Sequence, residues 1–413
     1  METLGSAAAA RAIAIASSGT RTHPLTPPAR PKILLYSHDT FGLGNIRRSL
    51  LLGELLASAY PRAAILLLTG SPMIHAFRIP VRLDYVKLPC VNRVHADEYE
   101  PRFLTDCGDE VRRARSAILE RTSMAFAPDL LIVDKRAAGI DGELLPALDA
   151  LRRLPTPPRV VLGLRDILDA PDVTRRVLRE NRSFEIIERY YDEVWIYGSR
   201  DIFDAVAEYE FPPAVASRSH YCGYLRRHSV PRRPGGGVPN VLVTAGGGGD
   251  GATLVESYLT GLAEVPHGEF QSVVVLGPQL APASADLLRR LGADRSDVEY
   301  VEFEPDMTRR YQEADVVLSM VGYNTVCELL TAGVRAVLVP RAEPVQEQLI
   351  RARRLSARGH FRMIEPAELT PARLIAEARA ALAAPYTSQS RVDMEGLTRV
   401  RSRVHRLLEG RMA

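Results

Sequence analysis

The sequence predicts an α/β protein of two Rossmann-like, doubly wound domains, each built on a parallel sheet and facing the other across a cleft. Three observations carry this. The chain has 413 residues, 46% of them hydrophobic, enough at roughly 150 residues per domain for two separate cores. From Lys32 onward, short apolar runs alternate with longer stretches of helical periodicity, the pattern of βα units around a parallel sheet. The alternation breaks once, over 225–239, and then restarts.

Residues 1–30 are rich in Ala, Ser and Arg with a single acid. Arg11 interrupts what would be the apolar core of a secretory signal, so the segment is expected to be a disordered extension. The first domain is expected over 31–224, with strands at Ile33 to Ser37, Ala64 to Thr69, Leu83 to Leu88, Leu130 to Asp134, Val160 to Leu164 and Glu193 to Tyr197. Helical faces fill the gaps, notably Ile46 to Ala57 and Val111 to Phe126. Residues 225–239 combine arginines, three prolines and three consecutive glycines without apolar periodicity, and are expected to be a linker. The second domain, over 240–385, offers strands at Val241 to Thr244, Ser272 to Leu276, Val298 to Val301, Ala314 to Ser319 and Ala336 to Val339. Amphipathic segments follow at Pro371 to Leu382 and Met394 to Leu408. The last, within 386–413, is expected to pack back on the first domain.

Composition narrows the function classes. The formal charge is +3, and Lys32, Lys87 and Lys135 are the only lysines beside a large excess of arginine. A total so near neutral gives no argument for nucleic-acid binding. Arginines are therefore judged locally, as forks for phosphates and carboxylates. Cys90, Cys107, Cys222 and Cys327 are far apart and form no C-x-x-C, which fits a reducing cytoplasm without disulfides or zinc. No apolar run has the length of a membrane span.

Ligands of doubly wound sheets bind beyond the carboxyl ends of the strands, so the loops there are where chemistry is sought. In the run from Asn240 to Gly251 a strand leads into Gly246, Gly247, Gly248, Gly249, Asp250 and Gly251, and then a helix. Glycines let backbone N–H groups approach an anion, and the helix adds its positive end, which makes this a candidate diphosphate cradle. The spacing also satisfies G-x-G-x-x-G. However, the next strand ends Leu276-Gly277-Pro278, without the acid that a nicotinamide dinucleotide's ribose needs. After Ser319 come Gly322, Asn324 and Thr325, which can open a helix, and Glu328 one turn in, able to accept ribose hydroxyls. After Val339, residues Arg341, Glu347 and Gln348 lie between a strand and a helix and suit sugar hydroxyls and charge.

These loops, in this order, resemble the donor domain of GT-B glycosyltransferases of the MurG type. Ser319, Gly322, Thr325, Glu328 and Gly333, then Leu338, Pro340, Gln348, Ala352 and Leu355 fall in register with that family's pattern. The resemblance implies a GT-B fold and a nucleotide-diphosphate sugar, expected to be a UDP-sugar carrying a hexose or N-acetylhexosamine, held as a substrate. The Gly-rich loop and the helix before Glu328 would hold the diphosphate, Glu328 the ribose, and Gln348 with Glu347 the sugar. Glu347 departs from the second Gln of the MurG type, which leaves the sugar open. The first half resembles a bacterial group of predicted glycosyltransferases through the run from Tyr36 to Gly44, through Val133 to Arg136 and through Leu164 to Asp169. In that group a His usually follows the glycine loop, where this chain has Asn45.

Glycosyl transfer needs a base at the acceptor and charge stabilisation at the departing diphosphate. No Asp-x-Asp occurs in the chain, so a metal-independent reaction is expected, with no cofactor and, by resemblance, inversion. His38, Asp39 and Asp134 at strand ends and Asn45 after the glycine loop are the catalytic candidates, Gly42, Gly44 and Arg165 the acceptor-side ones, and Asp166 either an acceptor contact or an internal ion pair. The acceptor is expected to be lipid-linked or a soluble small molecule. Arg112, Arg113, Arg115 and Arg121 on one helix could meet anionic lipid at the inner membrane face. Two rivals stay open: a UDP-sugar 2-epimerase or hydrolase on the same fold, and a non-catalytic nucleotide-sugar binder.

Overall fold

The computed structural model describes residues 30–38, 43–95, 98–227, 237–247, 249, 251–385 and 392–409. The expected extension at 1–29, most of the linker, and the candidate site residues Asp39, Gly42 and Gly248 lie outside the described residues.

Two parallel sheets form the frame. The first contains β1 (Lys32–Ser37), β2 (Ala64–Thr69), β3 (Leu83–Lys87), β6 (Leu130–Asp134), β7 (Arg159–Arg165), β8 (Glu193–Tyr197) and β9 (Ser219–Tyr221), in the order β3-β2-β1-β6-β7-β8-β9. Between its third and fourth members, β4 (Val91–His95) and β5 (Glu98–Pro101) form a separate antiparallel hairpin. The second sheet contains β10 (Asn240–Thr244), β11 (Gln271–Val275), β12 (Val298–Val301), β13 (Val316–Ser319), β14 (Arg335–Leu338) and β15 (Arg362–Met363), in the order β12-β11-β10-β13-β14-β15. In each sheet the order reverses beside the first strand, at β1/β6 and at β10/β13. A crevice opens beyond the carboxyl ends at such a point.

The helices of the first half are α1 (Gly44–Ala59), α2 (Gly108–Phe126), α3 (Leu145–Arg152), α4 (Pro171–Glu180), α5 (Ser183–Tyr190), α6 (Ala205–Glu208) and α7 (Pro213–Ala216). Those of the second are α8 (Ala252–Leu262), α9 (Pro282–Leu291), α10 (Thr308–Glu313), α11 (Tyr323–Ala332), α12 (Glu347–Ser356) and α13 (Pro371–Ala383), followed by the terminal α14 (Gly396–Glu409).

Strand β1 shows why the apolar runs carry no alternation. Ile33 and Leu35 enter one hydrophobic cluster, whereas Leu34 and Tyr36 enter another on the opposite face, so both faces are buried. The first of these clusters continues through Tyr224 and Leu225 into Leu242 and Val317 of the second sheet, and on to Val400, Val404 and Leu408 of α14. That last helix returns to the first half. Its Arg403 donates to both carboxylate oxygens of Glu193 at 2.6 Å, and the backbone N–H of Tyr224 donates to Asp393 O at 2.8 Å just before it.

The structure differs from the sequence expectation at short and polar elements. The hairpin β4–β5 is not marked by apolar alternation, since its strands carry Asn92, Arg93, Glu98 and Glu100. Strands β9 and β15 have only three and two residues. The arginines expected on one helix, α2, do not share one environment. Arg115 falls in register with Val111 and Leu119 on the buried face, where it grips Glu143 at 2.5 and 2.6 Å. Arg112 and Arg113 stay exposed and pair within the helix with Asp109 and Glu110. Among the described residues, no helix is long and apolar enough to cross a membrane.

Candidate functional site

The carboxyl ends of the two sheets meet over a cavity of about 430 Å³. From the first half it is lined by His38, Gly44, Asn45, Arg47, Arg48, Arg93, Lys135 and Arg165. The second half adds Gly246, Gly247, Gly249, Gln279, Gly322, Asn324, Thr325, Arg341, Glu347 and Gln348. The sequence-predicted loops therefore converge.

The loop after β10 turns at Gly246, whose φ of +65° lies in the left-handed region. Gly247 accepts from the N–H of Gln279 at 3.0 Å, which holds the loop against the end of the next strand. Gly251, read above as part of the cradle, has a different task. It is buried at the start of α8, and a Cβ there would stand 2.1 Å from the Cβ of Ala245, so this glycine lets the helix close on its strand. Helix α11 starts after Gly322 and aims its N-terminus into the same space, and Asn324 donates to Gly44 O across the cleft at 2.9 Å.

Between the walls lies a cluster of charge. Glu347, almost wholly buried, pairs with Arg165 at 2.9 Å, with Arg351 at 3.2 Å and with Arg341 at 3.6 Å. Burial alone would raise its pKa, but Arg165, Arg351 and Arg341 outweigh it and bring the carboxyl down to about 2. Gln348 accepts from the N–H of Val321 at 3.0 Å and so ties α12 to the loop after β13.

His38 is 2% exposed at the end of β1. Burial, with Arg136 and Lys135 nearby, holds its pKa well below 6.5, so the ring is neutral at pH 7. Asn45 lies 3.3 Å from His38 Nε2 and accepts from Arg48 at 3.0 Å. An arginine can only donate, so the amide oxygen faces Arg48 and the amide nitrogen donates to Nε2. Nε2 therefore carries the lone pair.

Three expectations are corrected. Asp134 does not face the cavity as a base: Arg48 grips both its oxygens, at 2.8 and 2.7 Å, beneath the surface. Of the two readings of Asp166 the internal ion pair holds and the acceptor contact does not: it is 1% exposed and held by Arg351 at 2.8 Å through each oxygen and by Tyr224 at 3.0 Å. Glu328 is absent from the cavity lining and is buried against Arg47 and Arg227, the latter at 3.1 Å, so in this arrangement its carboxylate ties the two halves together, and holding a ribose would require that pair to open. The sequence reading also passed over Arg47, Arg48, Arg93, Gln279 and the role of Lys135. For Lys135 a signal existed, its position directly after a strand's carboxyl end; for the others only packing reveals it.

Comparison with known proteins agrees with this fold. Residues 240–407 match the glycosyltransferase family 28 C-terminal domain. Among curated proteins, the UDP-N-acetylglucosamine--N-acetylmuramyl-(pentapeptide) pyrophosphoryl-undecaprenol N-acetylglucosamine transferase of Corynebacterium efficiens is 30% identical over 150 residues, 36% of this chain and 39% of that protein. The same-named transferase of Halorhodospira halophila is 33% identical over 164 residues, 37% of this chain and 45% of that protein. The chain thus spans less than half the length of these curated relatives. Among solved structures, the calicheamicin glycosyltransferase CalG4 superposes with a TM-score of 0.58 at 19% identity, covering 92% of this chain and 98% of that one. MurG of Acinetobacter baumannii gives 0.57 at 18%, covering 91% and 100%.

Proposed function

We propose, from the match of residues 240–407 to the glycosyltransferase family 28 C-terminal domain and the likeness of the fold to MurG, that the protein is a glycosyltransferase that moves a hexose or N-acetylhexosamine from a UDP-sugar to an acceptor held by the first half. The observation that carries this reading is one cavity with a glycine loop and a helix N-terminus on one wall and a neutral buried histidine on the other.

In this reading the diphosphate lies on the N–H groups around Gly246, Gly247 and Gly249 and at the starts of α8 and α11, where fixed dipoles oppose the charge that develops on the leaving group. Arg341 adds a cation on the same side. Gln348 and Glu347 face the sugar. The acceptor hydroxyl displaces the Asn45 amide from His38 Nε2, and the ring takes the proton as the hydroxyl oxygen attacks the anomeric carbon. Base and leaving group stand on opposite walls, which supports a single displacement with inversion. With Asp134 engaged by Arg48, His38 is the base we assign. The cations lining the cleft and the lack of Asp-x-Asp support transfer without a resident metal. Four free thiols fit a cytoplasmic protein.

The test is product analysis. UDP should bind, and UDP-N-acetylglucosamine or UDP-glucose should stay largely intact alone but lose its sugar when cell extract supplies acceptors. Epimerised or hydrolysed sugar at the same rate without extract sinks the transferase reading.

A further inference from the structure

The charges around the cleft balance everywhere except beside Glu347. Arg48 is matched by Asp134, and Arg47 by Glu328. Of the two acids in the described lining, Glu304 lies 3.8 Å from Arg310, and Glu347 is shared by Arg165, Arg351 and Arg341. That one carboxylate has no charge left for a further cation, yet Lys135 stands beside it in the same lining. Lys135 comes from the sheet opposite the glycine loop, directly after β6, where the chain turns with φ of +66° and its N–H donates to Gly163 O at 2.8 Å. A side chain in this left-handed region costs energy, and such positions gather at functional sites. The Lys135 ammonium donates to no group among the described residues.

We propose that the donor's sugar is itself an anion, a hexuronic acid, whose ring rests on Gln348 and Glu347 and whose carboxylate meets Lys135 and Arg165. This rests on the transferase reading and narrows its sugar. The diphosphate has its own partners on the second half's wall, in the glycine-loop N–H groups, two helix starts and Arg341, so it does not call for a cation on the first half's wall. Burial and the neighbouring Arg165, Arg136 and Arg93 hold the Lys135 pKa well below the ordinary ammonium value, and a carboxylate beside it reverses that shift. A neutral hexose can accept a hydrogen bond there but cannot offset the repulsion, and an amino group would add to it. Bonds from ammonium or guanidinium to a carboxylate are about twice as strong as neutral ones. The acid at Glu347 then has a task that an amide could not perform, since its charge fixes Arg165 and Arg341 in place before the sugar arrives.

Calorimetry on the full chain with UDP, UDP-glucose, UDP-galactose, UDP-glucuronate and UDP-galacturonate tests it. At least one uronate should bind about tenfold or more tightly than its parent hexose, the effect of one charge-assisted hydrogen bond. Lys135→Met should remove that advantage and Lys135→Arg should keep it, with UDP bound by both within about threefold of the wild type. The proposal is overturned if neither uronate exceeds its hexose in the wild type, a comparison that needs no variant to fold. It is also overturned if the advantage survives Lys135→Met, or if Lys135→Met weakens UDP as much as the uronates, which would put the ammonium on the diphosphate. UDP separates the two readings. Binding of UDP and of all four sugars alike removes the acidic sugar and leaves the transferase reading standing, whereas binding of none of the five removes both.

Discussion

At the scale of single residues, the site is governed by two groups whose charge states are shifted in opposite senses of use. Glu347 is kept ionised by three arginines. Its folded pKa of about 2 lies below the ordinary 4.5, so the stability it contributes is present above pH 4.5 and is lost as pH falls toward 2. The shift corresponds to about 3 kcal/mol. Glu347→Gln should therefore cost about that much in denaturant unfolding at pH 7, and clearly less at pH 3, where the carboxylate's advantage is partly lost. His38 is kept neutral. Because its folded pKa lies below the unfolded 6.5, acid protonates the unfolded chain first, and stability from this group falls as pH drops below about 6.5. The same shift means that a base role for His38 should leave kcat/KM without an inflection near pH 6.5. His38→Ala should lower kcat by about 10² to 10⁴ while UDP affinity changes by a few fold at most; a pH-rate profile that bends at 6.5 in the wild type would remove His38 from that role. Neither shift is readable from sequence, since each depends on neighbours more than a hundred residues away or on burial.

At the scale of elements, the strands were the most legible part. The ranges expected at Ala64 to Thr69, Leu130 to Asp134, Glu193 to Tyr197 and Val298 to Val301 coincide with β2, β6, β8 and β12. A run of apolar residues bounded by turn residues has few other fates once helices cover both sheet faces. The polar hairpin β4–β5 and the short β9 and β15 were not legible, because their pairing comes from neighbours and not from their own periodicity. The glycine loop was legible as a loop but not residue by residue: Gly246 is needed for its φ, Gly251 for the space it leaves. Gly251→Ala should destabilise by about 1–3 kcal/mol and weaken UDP binding at least tenfold by pushing α8 off β10. The double variant with Ala245→Gly should recover part of both, which a simple loss of a ligand contact would not allow.

At the scale of the whole molecule, the two halves are held by buried polar ties and by the last helix. Arg351, wholly buried on α12, spans from Asp166 of the first half to Val321 O and Glu347 of the second. Removing one member of such a set strands the others. Arg351→Met should cost about 3–5 kcal/mol by chemical denaturation. Helix α14 covers Val400, Val404, Leu407 and Leu408 while pairing Arg403 with Glu193. A buried charge at Val404→Asp should lower the midpoint of thermal unfolding by several degrees, with the loss of both sheets in one transition if the shared core acts as a unit. Two separate transitions would show that the halves unfold independently.

By itself the sequence determined the two parallel sheets, the break between them and the order of the glycine and polar loops, because apolar runs, glycines and helix starts act over a few residues. Only the tertiary structure decided which of those loop residues face the cavity. Asp134, Asp166 and Glu328 each have the right chemistry at a strand end or on the right helix, yet each is claimed by an arginine brought from 86, 185 and 281 residues away. A buried carboxylate must be paired, and which cation pairs it is settled for Asp134 by how α1 packs on its own sheet and for Asp166 and Glu328 by how the two halves dock.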